Sequence, residues 1–130
     1  NMNPSELLKL AAEARNFAYA PYSKFQVGAA LLATNGEVFT GCNVENASYG
    51  MTICAERTAV FKAVAAGVKS FNAIAISVPG GGSPCGACRQ VLNEFSPSLK
   101  VYLGDENGQW VRETTLSALL PDAFGPENLG

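Results

Sequence analysis

The chain of 130 residues contains no histidine. That single absence excludes a Ser-His-Asp triad, a Cys-His nucleophile pair and an H-E-x-x-H metalloprotease helix. Acid–base chemistry near neutral pH must then come from a displaced carboxylate, a lysine, a tyrosine or metal-activated water. Charge is also scarce: 15% of residues are charged, and the 9 basic and 11 acidic side chains are intermixed. With no basic run to neutralise phosphates, a nucleic-acid partner is not expected. No apolar stretch reaches the roughly 18 residues a membrane helix needs, so no membrane partner is expected either. The amino terminus lacks a basic-then-apolar signal, and the expected location is the cytoplasm. Asn1 precedes Met2 and is expected to be an expression remnant.

What is present reads as a folded enzyme. The length suits one domain over residues 1–130, large enough for a single core. Hydrophobic residues make up 48% of it, a surplus that favours subunit contacts. Asn3-Pro4-Ser5-Glu6 reads as a capped helix start, followed by an apolar face at Leu7, Leu10, Ala11, Ala14, Phe17 and Ala18 and a stop at Pro21. Residues 26–33 and 37–43 read as strands joined by an Asn35-Gly36 turn. Residues 44–51 read as loop. Thr52 then caps a helix over 53–66, residues 73–78 form a buried strand and 79–82 a flexible loop. Ser83 caps a helix from Pro84 to Phe95, strands follow at 101–103 and 110–113, and Thr115 caps a short last helix. The pattern is α/β, with a mixed sheet.

The chemistry sits in Cys54-Ala55-Glu56 and Pro84-Cys85-Gly86-Ala87-Cys88. Three thiolates can hold zinc and leave a fourth tetrahedral position open for water. A carboxylate two residues past the first thiolate is placed to handle that water's protons. Two disulfides, or a redox dithiol at Cys85 and Cys88, are the other readings of these cysteines. Neither needs Cys54 with its own carboxylate. Cys42 reads as a buried free thiol. The sequence puts Cys54 in the first turn of one helix, and Cys85 and Cys88 in the first turn of the next. Helix amino termini favour the thiolate form. Zinc with three thiolates is already net negative, and Arg57 can withdraw charge through a sulfur; a solvated surface arginine is the alternative. Arg89 and Gln90 are weaker candidates for the same support.

Four stretches carry a resemblance. They are Phe25-Gln26-Val27-Gly28-Ala29-Ala30-Leu31, Gly41-Cys42-Asn43-Val44-Glu45-Asn46-Ala47-Ser48-Tyr49, Cys54-Ala55-Glu56-Arg57-Thr58-Ala59 and Ser83-Pro84-Cys85-Gly86-Ala87-Cys88-Arg89-Gln90-Val91. Together they resemble the small homotetrameric zinc-dependent cytidine deaminases, over nearly the whole chain. The zinc base-deaminase signature itself is a known pattern. The resemblance implies a three-layer fold, with five strands and helices on both sheet faces. It implies hydrolytic deamination of cytidine and 2'-deoxycytidine, as in pyrimidine salvage, with zinc activating water. One Zn²⁺ per subunit would be held by Cys54, Cys85 and Cys88, and Glu56 would shuttle protons. Asn43 and Glu45 would bind the sugar hydroxyls, with Phe25 and Ala55 against the nucleoside. Ala47, Tyr49 and Phe124 would come from neighbouring subunits of a homotetramer.

Read alone, Asn43 and Glu45 are equally well strand-end and loop polar residues, and Phe25 a core aromatic. Three rivals share the zinc motif. One is a deaminase of the blasticidin S type, which the Asn43, Glu45 and Phe25 cluster disfavours. A polynucleotide deaminase would need basic surface. A structural zinc module would need a fourth ligand, from Cys42 or a carboxylate.

Overall fold

A computed structural model describes residues 2–129, and Asn1, expected above to be an expression remnant, lies outside them. The first helix, α1 (Pro4–Arg15), opens on a reciprocal cap. Asn3 accepts from the Glu6 amide at 2.9 Å, and the Glu6 carboxylate accepts from the Asn3 amide at 3.3 Å. Such a cap is worth on the order of 1 kcal/mol. The helix ends well short of Pro21. The Phe17 and Ala18 amides tighten onto the carbonyls three residues back, and Tyr19 then pairs with the backbone of Asn43 and Glu45. That tertiary pairing pulls the chain off the helix and leaves Phe17, expected on its buried face, 81% exposed.

Five strands form one sheet: β1 (Gly28–Ala33), β2 (Val38–Cys42), β3 (Phe71–Ser77), β4 (Lys100–Gly104) and β5 (Trp110–Thr115). Their order is β2-β1-β3-β4-β5, with β3 and β4 parallel and every other pair antiparallel. The β1–β2 hairpin turns at Asn35 and Gly36, where φ of +92° suits glycine. β1 shows no polar alternation because both its faces are covered. On one face, Leu7, Leu8 and Ala11 of α1 pack on Ala30, Ala73, Ala75 and Tyr102. On the other, Ala29, Leu31, Ile74, Ile76, Val101 and Leu103 meet α2 (Ala55–Ala65) and α3 (Gly86–Phe95). Successive residues of β3 thus point to opposite layers. A last short helix, α4 (Leu116–Leu119), is capped by Thr115, as the sequence indicates. This is the mixed sheet with helices on both faces that the resemblance implied. The 79–82 loop is partly ordered, with a single 3₁₀ turn at Pro79–Gly81.

Candidate active site

Both helices that carry the thiols begin later than the sequence suggests. Val44 and Ile53 exchange two backbone hydrogen bonds of 2.9 Å, and the Asn46 amide donates to Thr52 Oγ1 at 3.1 Å. This pairing keeps 52 and 53 extended, so Cys54, not Thr52, is the N-cap of α2. Cys85, not Ser83, caps α3. Ser83 Oγ instead accepts from Arg112 Nη2 at 3.0 Å, and the Pro84 carbonyl accepts from Arg89 Nε at 2.8 Å. Cys54 and Cys85 therefore sit one position before the first turn, and Cys88 within it. Neither cap residue's sulfur accepts from a backbone amide of its helix, which leaves both sulfurs free to turn toward each other.

The three sulfurs converge: all lie within 4.8 Å of one another, with Cys54 and Cys85 at 3.9 Å and Cys85 and Cys88 at 3.4 Å. Tetrahedral zinc at about 2.3 Å from each sulfur requires separations of about 3.8 Å. The donor set and its spacing fit zinc. Among the described residues no fourth histidine, cysteine or carboxylate joins the cluster. Cys42 lies apart, in a separate cavity of about 320 Å³ shared with Leu10, Phe17 and Lys62. A closed structural site is thus not formed.

The electrostatics favour a metal as well. Arg57 Nη2 donates to Cys54 Sγ at 3.3 Å, while its buried Nε has no partner among the described residues. A hydrogen bond from Cys88, helped by Arg57 and Cys85, holds the Cys54 thiol down to about 5. That shared bond and burial push the Cys88 thiol well up. The Cys54 thiol is thus held toward the ionised form that a metal ligand requires. Burial, with the Cys54 thiolate adding to it, pushes the Glu56 carboxyl up to about 7. A carboxyl poised there both accepts and donates protons near neutrality.

The cluster opens into a cavity of about 400 Å³ at the C-terminal end of β3, where the two helix starts meet. Phe25, Asn43, Glu45, Cys54, Ala55, Glu56 and Cys85 line it, along with Ser23, Val27, Ile76 and Val78. Asn43 is buried, accepting from the Val27 amide at 2.9 Å and donating to the Phe25 carbonyl at 2.8 Å. Phe25 is half-exposed beside the cavity rather than in the core. Ala47, Tyr49 and Phe124 are exposed and do not line it. Gln90 turns away, donating to the Phe124 carbonyl at 2.8 Å, so the sequence's second support for the thiolates goes to the C-terminal segment instead. Arg89 bridges Pro84 to the Leu119 carbonyl, the latter at 2.7 Å, and so braces the Cys85 loop from outside. Sequence reasoning missed Ser23 and the apolar wall of Val27, Ile76 and Val78. The end of a parallel strand was the available signal for Ile76 and Val78. A larger depression of about 900 Å³ at the opposite strand ends, lined by Glu6, Asn35 and Lys100, contains no thiol.

Comparison with known proteins agrees with this geometry. Residues 2–104 match the family described as the cytidine and deoxycytidylate deaminase zinc-binding region. A cytidine deaminase of Sporosarcina psychrophila is 53% identical, over 98% of this chain and 96% of the relative. Another, from Halalkalibacterium halodurans, is 52% identical over 98% of each. The crystal structure of cytidine deaminase from Burkholderia pseudomallei superposes with a TM-score of 0.90 at 54% identity, covering 95% of this chain and 100% of that one. Identity of this level over whole chains, on the same sheet and with the three thiols gathered at two helix starts, makes this chain a zinc-binding enzyme of the cytidine and deoxycytidylate deaminase family.

Proposed function

We propose that the chain, as one domain over residues 1–130, catalyses hydrolytic deamination of cytidine and 2'-deoxycytidine, giving uridine or 2'-deoxyuridine and ammonia. The observation that carries this reading is a three-thiol cluster that no fourth ligand joins among the described residues, facing a cavity shared by the buried carboxyl of Glu56 and by Asn43 and Glu45. Cys54, Cys85 and Cys88 would hold the zinc, which when bound supplies a Lewis acid that makes a water molecule more acidic. Glu56 takes a proton from the attacking water and delivers it to N3 of the cytosine ring as the oxygen adds at C4. The same carboxylate carries the second proton to the 4-amino nitrogen. The C4–N4 bond then breaks and ammonia leaves. One carboxylate can serve twice because each delivery regenerates its ionised form.

Arg57 offsets the negative charge of three thiolates by donating to Cys54. Asn43 and Glu45, both buried yet lining the cavity, read a sugar: a carboxylate accepts from hydroxyls, and an amide both donates and accepts. Phe25 and Ala55 provide apolar wall. Tyr49 and Phe124 are 69% and 58% exposed and lie outside this chain's own cavity. That exposure supports a homotetramer in which Ala47, Tyr49 and Phe124 complete a neighbour's site. Among the described residues no helix is long and apolar enough to cross a membrane. Location in the cytoplasm, and a place in pyrimidine salvage, follow from the proposed substrate.

The reading is tested by mixing the zinc-loaded protein with cytidine, deoxycytidine, blasticidin S and a cytosine-containing oligonucleotide and measuring ammonia. Release from the two nucleosides alone supports it. Release only from the antibiotic or only from the oligonucleotide would replace it with the corresponding rival.

A further inference from the structure

The carboxylate of Glu45 is held by one short turn. Its Oε1 accepts from the Tyr22 amide at 3.0 Å and the Ser23 amide at 3.1 Å, and its Oε2 accepts from the Ser23 hydroxyl. That hydroxyl in turn accepts from the Phe25 amide at 3.0 Å. Lys24 between them has φ of +62°, a left-handed conformation that a residue with a side chain adopts only against strain. Its own amide is pinned to the Ala20 carbonyl at 3.0 Å. The strained residue folds the turn back, so one hydroxyl reaches both the Phe25 amide and Glu45.

Each oxygen of a carboxylate offers two acceptor positions. On Oε1 both are filled from within the protein, and on Oε2 one is filled. Counting donors among the described residues, Glu45 therefore presents a single open position to the cavity, and the Ser23 hydroxyl fixes where it points. We propose that Ser23 is a positioning residue for substrate recognition: it orients Glu45 toward one donor hydroxyl of the sugar and locks that carboxylate in register with Phe25. The hydrogen bond from Ser23, ahead of the Tyr22 and Ser23 amides and Lys24, holds the Glu45 carboxyl below its ordinary value, which keeps it an acceptor. The inference rests on the nucleoside reading of the cavity.

Ser23 is exposed, so its removal should spare the fold. The test compares wild type, Ser23→Ala and Ser23→Thr on cytidine and on 2',3'-dideoxycytidine, with thermal stability and zinc content measured alongside. Ser23→Ala should raise KM for cytidine about tenfold, the effect of losing a hydrogen bond to a charged group, and keep kcat within about twofold. Its kcat/KM for the dideoxynucleoside, which offers Glu45 no hydroxyl, should fall several-fold less than that for cytidine, and Ser23→Thr should restore cytidine KM. An equal loss on both nucleosides, or no loss on either, overturns the proposal. A wild-type protein inactive on cytidine would instead fail the nucleoside reading, and this inference with it.

Discussion

Arg57 donates from Nη2 to Cys54 Sγ across 3.3 Å, one residue past the carboxyl of Glu56. A cation thus bonds directly to one of the three thiols proposed to hold zinc. Removing it by Arg57→Ala leaves the net negative charge of a three-thiolate site uncompensated, so bound water should be less acidic. Turnover or zinc affinity should fall by about 10–100-fold, the range seen when a partner of a metal ligand is removed. Arg57→Lys should recover part of this, because it keeps the charge and loses the planar fork. Zinc content and kcat, measured on the same preparations, check it. Wild-type values for both in Arg57→Ala would mean that the contact is incidental.

Glu56 makes stability depend on pH in a predictable direction when the metal has been chelated. Its folded-state pKa is raised to about 7 by burial. An exposed glutamate in the unfolded chain titrates near 4.3, so between about 4.3 and 7 the folded protein binds the extra proton. This stabilising term is fully present below the lower value and is lost as pH rises through the upper one. Urea titrations of the chelated protein should therefore show wild type losing stability relative to Glu56→Gln from about pH 4.3 to 7. Zinc favours the ionised carboxylate, and reloading it should narrow the difference. Parallel pH curves for the two chelated proteins would contradict the shift.

Gly41 is where β2 touches α2. A Cβ there would lie 2.4 Å from the Ala55 carbonyl oxygen and 2.6 Å from the Ala59 amide nitrogen, both backbone atoms that cannot swing aside. Gly41→Ala should cost about 1–3 kcal/mol by forcing the helix off the sheet. Because Ala55 stands between Cys54 and Glu56, activity should fall with it. Gly50→Ala, whose Cβ would meet nothing within 4 Å, is the control. Equal denaturant midpoints for the two variants would show that this contact is not limiting.

Much of this was legible in the sequence because the decisive signals are local. The Asn3 cap, the Asn35-Gly36 turn and the Thr115 cap are each set by neighbours in the chain, and each is found where the sequence puts it. Errors fell where pairing between loop segments overrides local preference. Thr52 is a good cap by type, but the ladder between Val44 and Ile53 holds it extended and passes the role to Cys54. Phe17 continues the helical apolar period, yet the pairing of Tyr19 with Asn43 and Glu45 ends the helix before it. The thiol cluster was visible as a spacing. The hold of Ser23 on Glu45 was not, because it joins residues 22 positions apart through a turn containing a left-handed lysine.

The central claim is that Glu56 moves the protons while three thiolates hold the metal, and one substitution separates these roles. Glu56→Gln keeps the shape and removes only the ionisable oxygen. Zinc content and cytidine turnover should be measured together on this variant and on wild type. The account predicts an unchanged content near one zinc per chain, with turnover lower by about 10²–10⁴-fold, the usual contribution of a positioned acid–base group. A Glu56→Gln protein that holds its zinc and turns cytidine over at the wild-type rate would contradict it.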